Sequence, residues 1–341
     1  MEIEVDPGRL REDVEANGRI GEVDVEEGWG RTVLTGTDAD RRARDRFVGR
    51  LEDAGCEVRV DRVGNVAGRW VPGSADPEAA PVAAGSHLDS VPDGGIFDGP
   101  LGAYAALEAV RAIRESPVAP ERPLEVVSWT AEEGVRFGTG LLGSSVAAGL
   151  RGADEALSLT DGDGRTLGGA LDRIGYRGEG TVDPAAWDAW FELHVEQGTV
   201  LESAGVPVGA VTAIAGIANC AVTFEGEANH AGATPMADRR DALAAASEFV
   251  LDVERVAGTQ VEAGHDGAVG TVGSLEVSPN ANNVVPGRVD ATTDQRDVDG
   301  AVLREQVDRA RASAERIAEE RPVTVEFDHY RLTEPSRMAD R

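Results

Sequence analysis

The run GSHLDSVPDGGIFDG at residues 85–99 sets an imidazole and two carboxylates around a turn of Pro92, Asp93, Gly94 and Gly95. His87 and Asp89 stand two residues apart, so on extended backbone their side chains share a face. A neutral imidazole with carboxylates on a glycine-shaped loop suits a divalent metal ion. On that reading His87 is a ligand, and Asp98 is placed to bridge two ions. The Asp89 carboxylate accepts the other imidazole N–H and fixes the ring. The competing reading is a solvated histidine in a polar turn. The flanking strand, the glycines and Asp98 favour the metal.

Glu132 and Glu133 directly follow an apolar run, in the sequence TAEEG. Adjacent carboxylates there can divide the work, one holding a metal and the other acting as general base toward water. Standing alone, the pair reads first as a solvated start to a helix, favoured by the helix dipole. A third group is Glu192, His194 and Glu196 in WFELHVEQG. Its alternation predicts a strand with all three side chains on one face. His194 is there either a ligand or a core histidine.

These groups need elements to position them. An alanine-rich run ending at Ala84 predicts the strand that delivers His87, and a helix is predicted over 100–114. The apolar run 124–129 predicts the strand that delivers Glu132 and Glu133, since groups that act on ligands in open α/β sheets sit beyond strand carboxyl ends. Upstream, helices are predicted over 5–18 and 39–54, the second with Phe47, Val48 and Leu51 at helical spacing. Residues 56–60 alternate as a strand, and 63–71 read as its hairpin partner turning through Gly64 and Asn65. Residues 150–184 read as a glycine- and aspartate-rich excursion. Within it Asp161-Gly162-Asp163-Gly164 lacks the remaining ligands of a calcium loop and is read as a turn.

From Val211 the pattern changes. Strands are predicted over 221–225, 269–277, 284–292 and 323–327, and helices over 238–256 and 300–320. The fold class is α/β: a mixed, mostly parallel sheet with helices on both faces, plus an inserted β-α-β-β-α-β (ferredoxin-like) domain. The expected domains are 1–210, 211–329 and a stub at 330–341 returning toward the first.

The 341 residues suffice for two domains, and 41% hydrophobic residues are compatible with a real core. The charge is extreme, with 62 acidic against 33 basic residues, a net charge of -29, and no lysine. Such a chain repels nucleic acid and anionic membranes, which argues against both as partners. The simplest expectation is a protein of a salt-accumulating cytoplasm. Cys56 and Cys220 make neither a disulfide framework nor a zinc knuckle. Residues 1–10 lack the regions of a signal peptide, and no apolar run approaches the roughly 20 residues that span a bilayer.

Taken together, GSHLDSVPDGGIFDGPLG, TAEEGVRFG, ELHVEQG, NHAGATPM and PNANNVVPG followed by DQRD resemble the dinuclear-metal amidohydrolases of the aminoacylase and carboxypeptidase group. The likeness is closest to the hydantoinase/carbamoylase branch, which includes N-carbamoyl-L-amino-acid hydrolases, β-ureidopropionases and allantoate amidohydrolases. The resemblance implies a metal-bearing catalytic domain and an inserted lid that also forms a homodimer. It implies two divalent ions, and mixed nitrogen and oxygen ligands suit zinc, manganese, cobalt or nickel. His87 and His194 would hold one ion, Asp98 would bridge, Glu133 would hold the second, and Glu132 would be the general base. Gln197, His230, Asn283 and Arg296 would bind a small ureido or amide substrate. Arg296 would clamp its carboxylate bidentately, and His230 would polarise the scissile carbonyl. In related dimers that histidine comes from the neighbouring subunit.

The resemblance also implies a further segment beyond the lid carrying a last histidine ligand. With the chain ending at Arg341, the second ion is expected to be weakly held. The leading expectation is therefore a metal-dependent hydrolase of a linear ureido or amide C–N bond. The alternative is a non-catalytic or impaired dimeric remnant of such an enzyme.

Overall fold

Capping and turn residues mark out the first elements. The structure, a computed structural model, describes residues 3–339; residues 1–2 of the expected first domain and 340–341 of the expected stub lie outside them. The chain divides into two compact units, Met1–Val200 and Leu201–Arg341. In the first, the Asp6 carboxylate accepts the N–H groups of Gly8 and Arg9 and starts α1 (Pro7–Gly18). Thr37 caps α2 (Asp38–Asp53). There follow β1 (Glu57–Val60), β2 (Val66–Trp70), β3 (Val82–His87), α3 (Pro100–Glu115), β4 (Leu124–Trp129), three short helices α4 (Leu142–Ala147), α5 (Ala153–Ser158) and α6 (Leu167–Ile174), and β5 (Ala189–Phe191).

The five strands form one sheet in the order β1-β2-β4-β3-β5. β3 runs parallel to β4 and β5, while β1, β2 and β4 pair antiparallel. The sheet is thus mixed, with its parallel pairing confined to the half that carries His87. On one face Phe47 and Leu51 of α2 and Tyr104 and Leu107 of α3 pack with Val126 of β4. Fully burying a side chain such as Phe47 or Leu107 is worth about 1.5–3 kcal/mol, so this face supplies most of the unit's cohesion. The other face carries a smaller cluster of Val127, Trp129 and Val182, with Trp187 and Trp190 packed on it. Trp187 and Trp190 stack with centroids 5.2 Å apart and planes 13° from parallel. A buried charge network ties the helices together: Asp13 of α1 pairs with Arg46 and Arg50 of α2 and Arg111 of α3.

Two expectations for this unit are corrected. The excursion after Leu150 holds α5 and α6, the latter capped by Thr166 and closed by Gly175 in the left-handed region. Gly168 and Gly169 hide it from a periodicity reading because they carry no side chain to show a face. The predicted strand through 190–198 stops at Phe191. Beyond it Glu192 accepts from Ser86 Oγ at 2.6 Å, and Glu196 accepts from the Val200 N–H at 2.7 Å. Glu192, His194 and Glu196 therefore lie on a loop with separate partners, not on one face of a strand.

The second unit contains β6 (Gly216–Glu225), α7 (Ala242–Glu262), β7 (Val269–Ser278), β8 (Arg288–Asp297), α8 (Gly300–Glu320) and β9 (Thr324–Thr333). The sheet order is β7-β8-β6-β9, antiparallel throughout. Alternate residues of β6, Ala218, Cys220, Val222 and Phe224, pack against Phe249 and Val253 of α7 and Leu303, Val307, Ala314 and Ile317 of α8. This is the split β-α-β arrangement. Several bounds differ from expectation, and β6 begins at Gly216 rather than 221. Asp241 caps α7, which begins at Ala242 rather than 238. Pro286-Gly287 separates β8 from a short ribbon in which Val284–Val285 pairs with Asn229–His230. β9 runs on to Thr333, and Ser336–Arg337 pairs with Ala213–Ile214. Residues 330–333 and 336–337 thus lie in this unit's strands. No helix among the described residues is long and apolar enough to cross a membrane.

Candidate metal centre

Register explains how the first unit gathers its polar groups. In the parallel pairing His87 stands beside Trp129, and Ala84 beside Phe191, so β4, β3 and β5 present their carboxyl ends together. Glu132 and Glu133 lie just past β4, His87 ends β3, and His194 lies just past β5. Asp98 comes from the loop that returns from His87 to α3. The result is two groups whose ligand atoms lie within 4.8 Å of one another: His87, Asp98 and His194, and His87, Glu132 and Glu133.

The distances define the arrangement. Asp98 Oδ1 is 3.1 Å from His194 Nε2 and 3.9 Å from His87 Nε2. Its Oδ2 accepts from the Gln197 amide at 2.6 Å. Gln197 has φ 57, a left-handed conformation uncommon outside glycine. Glu132 Oε2 is 3.6 Å from His87 Nε2. His194 Nδ1 lies 2.9 Å from the Val195 carbonyl, which leaves Nε2 for Asp98 or a metal.

Asp89 does something other than expected. The partner of His87 Nδ1 is the Asp89 backbone carbonyl at 3.1 Å; the carboxylate stands off at 3.7 Å. That carboxylate instead accepts the backbone N–H groups of Glu132 and Glu133, each at 3.2 Å. One buried residue thus orients the imidazole with its main chain and both glutamates with its side chain.

Two glycines missed by the sequence reading make room. Gly99 has φ +80, and a Cβ there would lie 2.5 Å from the His87 ring. A Cβ at Gly102 would lie 2.3 Å from the Leu193 carbonyl, on the segment leading to His194. The only signal was Gly99-Pro100, a glycine directly before a proline at a helix start.

Burial raises the proton affinity of Asp89, Glu132 and Glu133. His87 opposes the rise in each, and neighbouring carboxylates reinforce it for the two glutamates. Glu133 Oε1 is buried with no hydrogen-bond partner among the described residues. Clustered carboxylates with an unpartnered oxygen, beside two imidazoles, form a donor set that a divalent cation satisfies. The residues present fit the metal.

In the second unit His230 and Asn283 come together at the ribbon, where the Ala231 N–H donates to the Asn283 carbonyl at 2.8 Å. His230 Nδ1 accepts from the N–H groups of Gly232 and Ala233, each at 3.1 Å. Those donors assign the proton to Nε2, which makes that edge a hydrogen-bond donor. Arg296 lies on β8 with its Nε and Nη2 edge already engaged by Asp294 at 2.8 and 3.1 Å.

Residues 83–330 match the peptidase family M20/M25/M40. The N-carbamoyl-L-amino acid amidohydrolase of Geobacillus stearothermophilus is 44% identical over 310 residues, which cover 89% of this chain and 73% of the relative. The allantoate amidohydrolase of Escherichia coli is 37% identical over 300 residues, covering 86% and 71%. Among solved structures, a hydantoinase/carbamoylase family amidase from Burkholderia multivorans superposes with a TM-score of 0.91 at 39% identity, covering 99% of this chain and 80% of that one. The chain belongs to the M20/M25/M40 family.

Proposed function

We propose that this member of the M20/M25/M40 family hydrolyses the C–N bond of a linear ureido compound, an N-carbamoyl-L-amino acid or an allantoate-like substrate. The observation that carries the reading is the gathering of His87, Asp98, Glu133 and His194 at three adjacent strand ends, with Glu132 alongside. We assign His87, Asp98 and His194 to one divalent ion and Asp98 and Glu133 to a second, with zinc or manganese the first candidates and cobalt or nickel also suited. Bound there, the metal would supply a Lewis acid and ease the ionisation of water.

Glu132 is the general base: its carboxylate takes a proton from the attacking water and returns it to the leaving nitrogen. Burial, which raises its proton affinity, suits a group that must both accept and return a proton. Asp89 holds the backbone of both glutamates. On the family resemblance, the substrate's carbonyl oxygen takes the Nε2–H of a His230, which in related dimers the neighbouring subunit supplies, as charge builds there, and Asn283 and Gln197 are assigned polar contacts to the substrate. Arg296 binds the substrate carboxylate through the guanidinium edge that Asp294 leaves open. The acidic composition supports a salt-rich cytoplasm as working medium. A homodimer through the second unit is the assembly the resemblance implies.

The test is an assay of metal-loaded protein, in high salt, against N-carbamoyl-L-amino acids, allantoate and a dipeptide, with metal content measured on the same sample. Turnover of a ureido substrate with the dipeptide untouched is expected. Dipeptide cleavage in preference to every ureido compound would overturn the assignment.

A further inference from the structure

Arg31 is wholly buried, and it is the bulkiest of the fully buried side chains among the described residues. Its guanidinium donates through Nη2 to the Leu88 carbonyl, while Nε and Nη1 have no hydrogen-bond partner among the described residues. A buried charge with two idle donors is costly. An apolar side chain of similar length would fill the same space without that cost, so packing does not account for it.

Its surroundings do. The segment around Arg31 is stitched along the loop that follows β3. The Arg31 N–H donates to the Gly94 carbonyl at 2.8 Å, and the Asp93 N–H to Thr32 Oγ1 at 3.0 Å. Ser90 Oγ accepts from the Val33 N–H at 2.9 Å, and the Ser90 N–H donates to the Val33 carbonyl at 3.0 Å. Leu88, whose carbonyl the guanidinium holds, stands between His87 and Asp89. Asp89 in turn carries the imidazole of His87 and the amides of Glu132 and Glu133. Burial pushes the Arg31 guanidinium down to about 10, and the Asp89 carboxylate is the first group to pull the other way.

We propose that Arg31 is a positioning residue for the metal centre: it pins the Leu88 carbonyl, between His87 and Asp89, so that His87, Glu132 and Glu133 are held as one unit. The inference rests on the metal reading above for its consequence in function, but not for its structural content. It acts through the Leu88 carbonyl and the backbone of Asp89 that follows it.

Arg31→Met and Arg31→Lys, made in the full chain, test it. Amide exchange is read at Ser90, Glu132 and Glu133 in metal-free protein, with the amides of α3 as an internal standard. Affinity for zinc is read by competition with a chelator. In Arg31→Met, exchange at Glu132 and Glu133 should rise while α3 stays protected. Zinc affinity should fall about tenfold or more, as when a group behind a metal ligand is removed. Arg31→Lys, which keeps the charge, should recover part of both losses. Unchanged protection at Glu132 and Glu133 in Arg31→Met would overturn the proposal. So would equal loosening of α3 in both variants, which would make Arg31 a residue of general stability. The exchange result holds whether or not zinc is the physiological ion, so a failure of the metal reading would show only in the affinity arm.

Discussion

His87 and Asp89 are 1% and 4% exposed, whereas His230, Asn283 and Arg296 all lie at the surface of the second unit. Around His87 the first unit holds its groups by burial and by shared partners: one aspartate serves an imidazole and two glutamates, and a glycine lies against the imidazole face, while His194 is exposed and held at Nδ1 by the carbonyl of Val195. The second unit holds its groups by local turns. His230 is fixed by two amides within three residues of it, and Arg296 by an aspartate two residues away on the same strand. The contrast separates two demands. Groups that handle protons and metal gain from exclusion of water, which strengthens every charge interaction. Groups that meet a substrate must reach solvent, and need only the right face and tautomer.

Substitutions can break this contrast, and Glu132→Gln should have the largest effect. The amide keeps the shape but cannot accept a proton, so kcat should fall by about 10²- to 10⁴-fold with metal content nearly unchanged. Turnover within a few-fold of the parent would remove Glu132 from the base role. Gly99→Ala comes next. The added methyl has to enter the space of the His87 ring at a left-handed φ, a strain of about 1–3 kcal/mol. Metal affinity should drop and thermal stability with it, measured by chelator competition and by melting. Normal affinity would mean that the ring is free to move aside.

Arg296→Lys should act on KM alone. Loss of charge-assisted hydrogen bonds worth about 1.5–3 kcal/mol raises KM roughly 10- to 100-fold for a carboxylate substrate, and far less for the matching amide. Asp294→Asn should raise KM by less, because it disturbs the edge of the guanidinium that the substrate does not use. Equal KM increases for the acid and the amide would discard the carboxylate contact. The smallest effect concerns salt. Screening to a Debye length of about 3 Å at 1 M relieves the repulsion of 29 excess negative charges. It weakens exposed pairs such as Arg296–Asp294 but barely touches the buried pairing of Asp13 with Arg111. Melting temperature should therefore climb from low to molar KCl, and a flat or falling curve would show that pairing outweighs net charge.

Sequence periodicity located elements best where packing alone decides them. α8 was expected over the residues it occupies because Leu303, Val307, Ala310, Ala314 and Ile317 all enter one core. Residues 190–198 misled because their alternation of glutamate and histidine serves contacts on a loop, not the two faces of a sheet. The ligand-type residues could be read from side-chain chemistry. The part played by Asp89 could not, because half of it belongs to a backbone carbonyl, which every residue carries. Arg31 was invisible for a related reason: an arginine among many shows nothing of its burial until the chain is folded around it.

The stack of Trp187 on Trp190 has an optical consequence. Trp190 lies in β5, paired beside Ala83 of β3, at the sheet edge that leads to His194. Trp129 of β4 lies 6.0 and 5.5 Å from the same two rings, and indoles this close couple their transition dipoles, so this cluster is expected to give an exciton signature in circular dichroism distinct from that of the helices. On warming, loss of that signature ahead of the helical signal would identify this end of the sheet, and with it the approach to His194, as opening before the helices do.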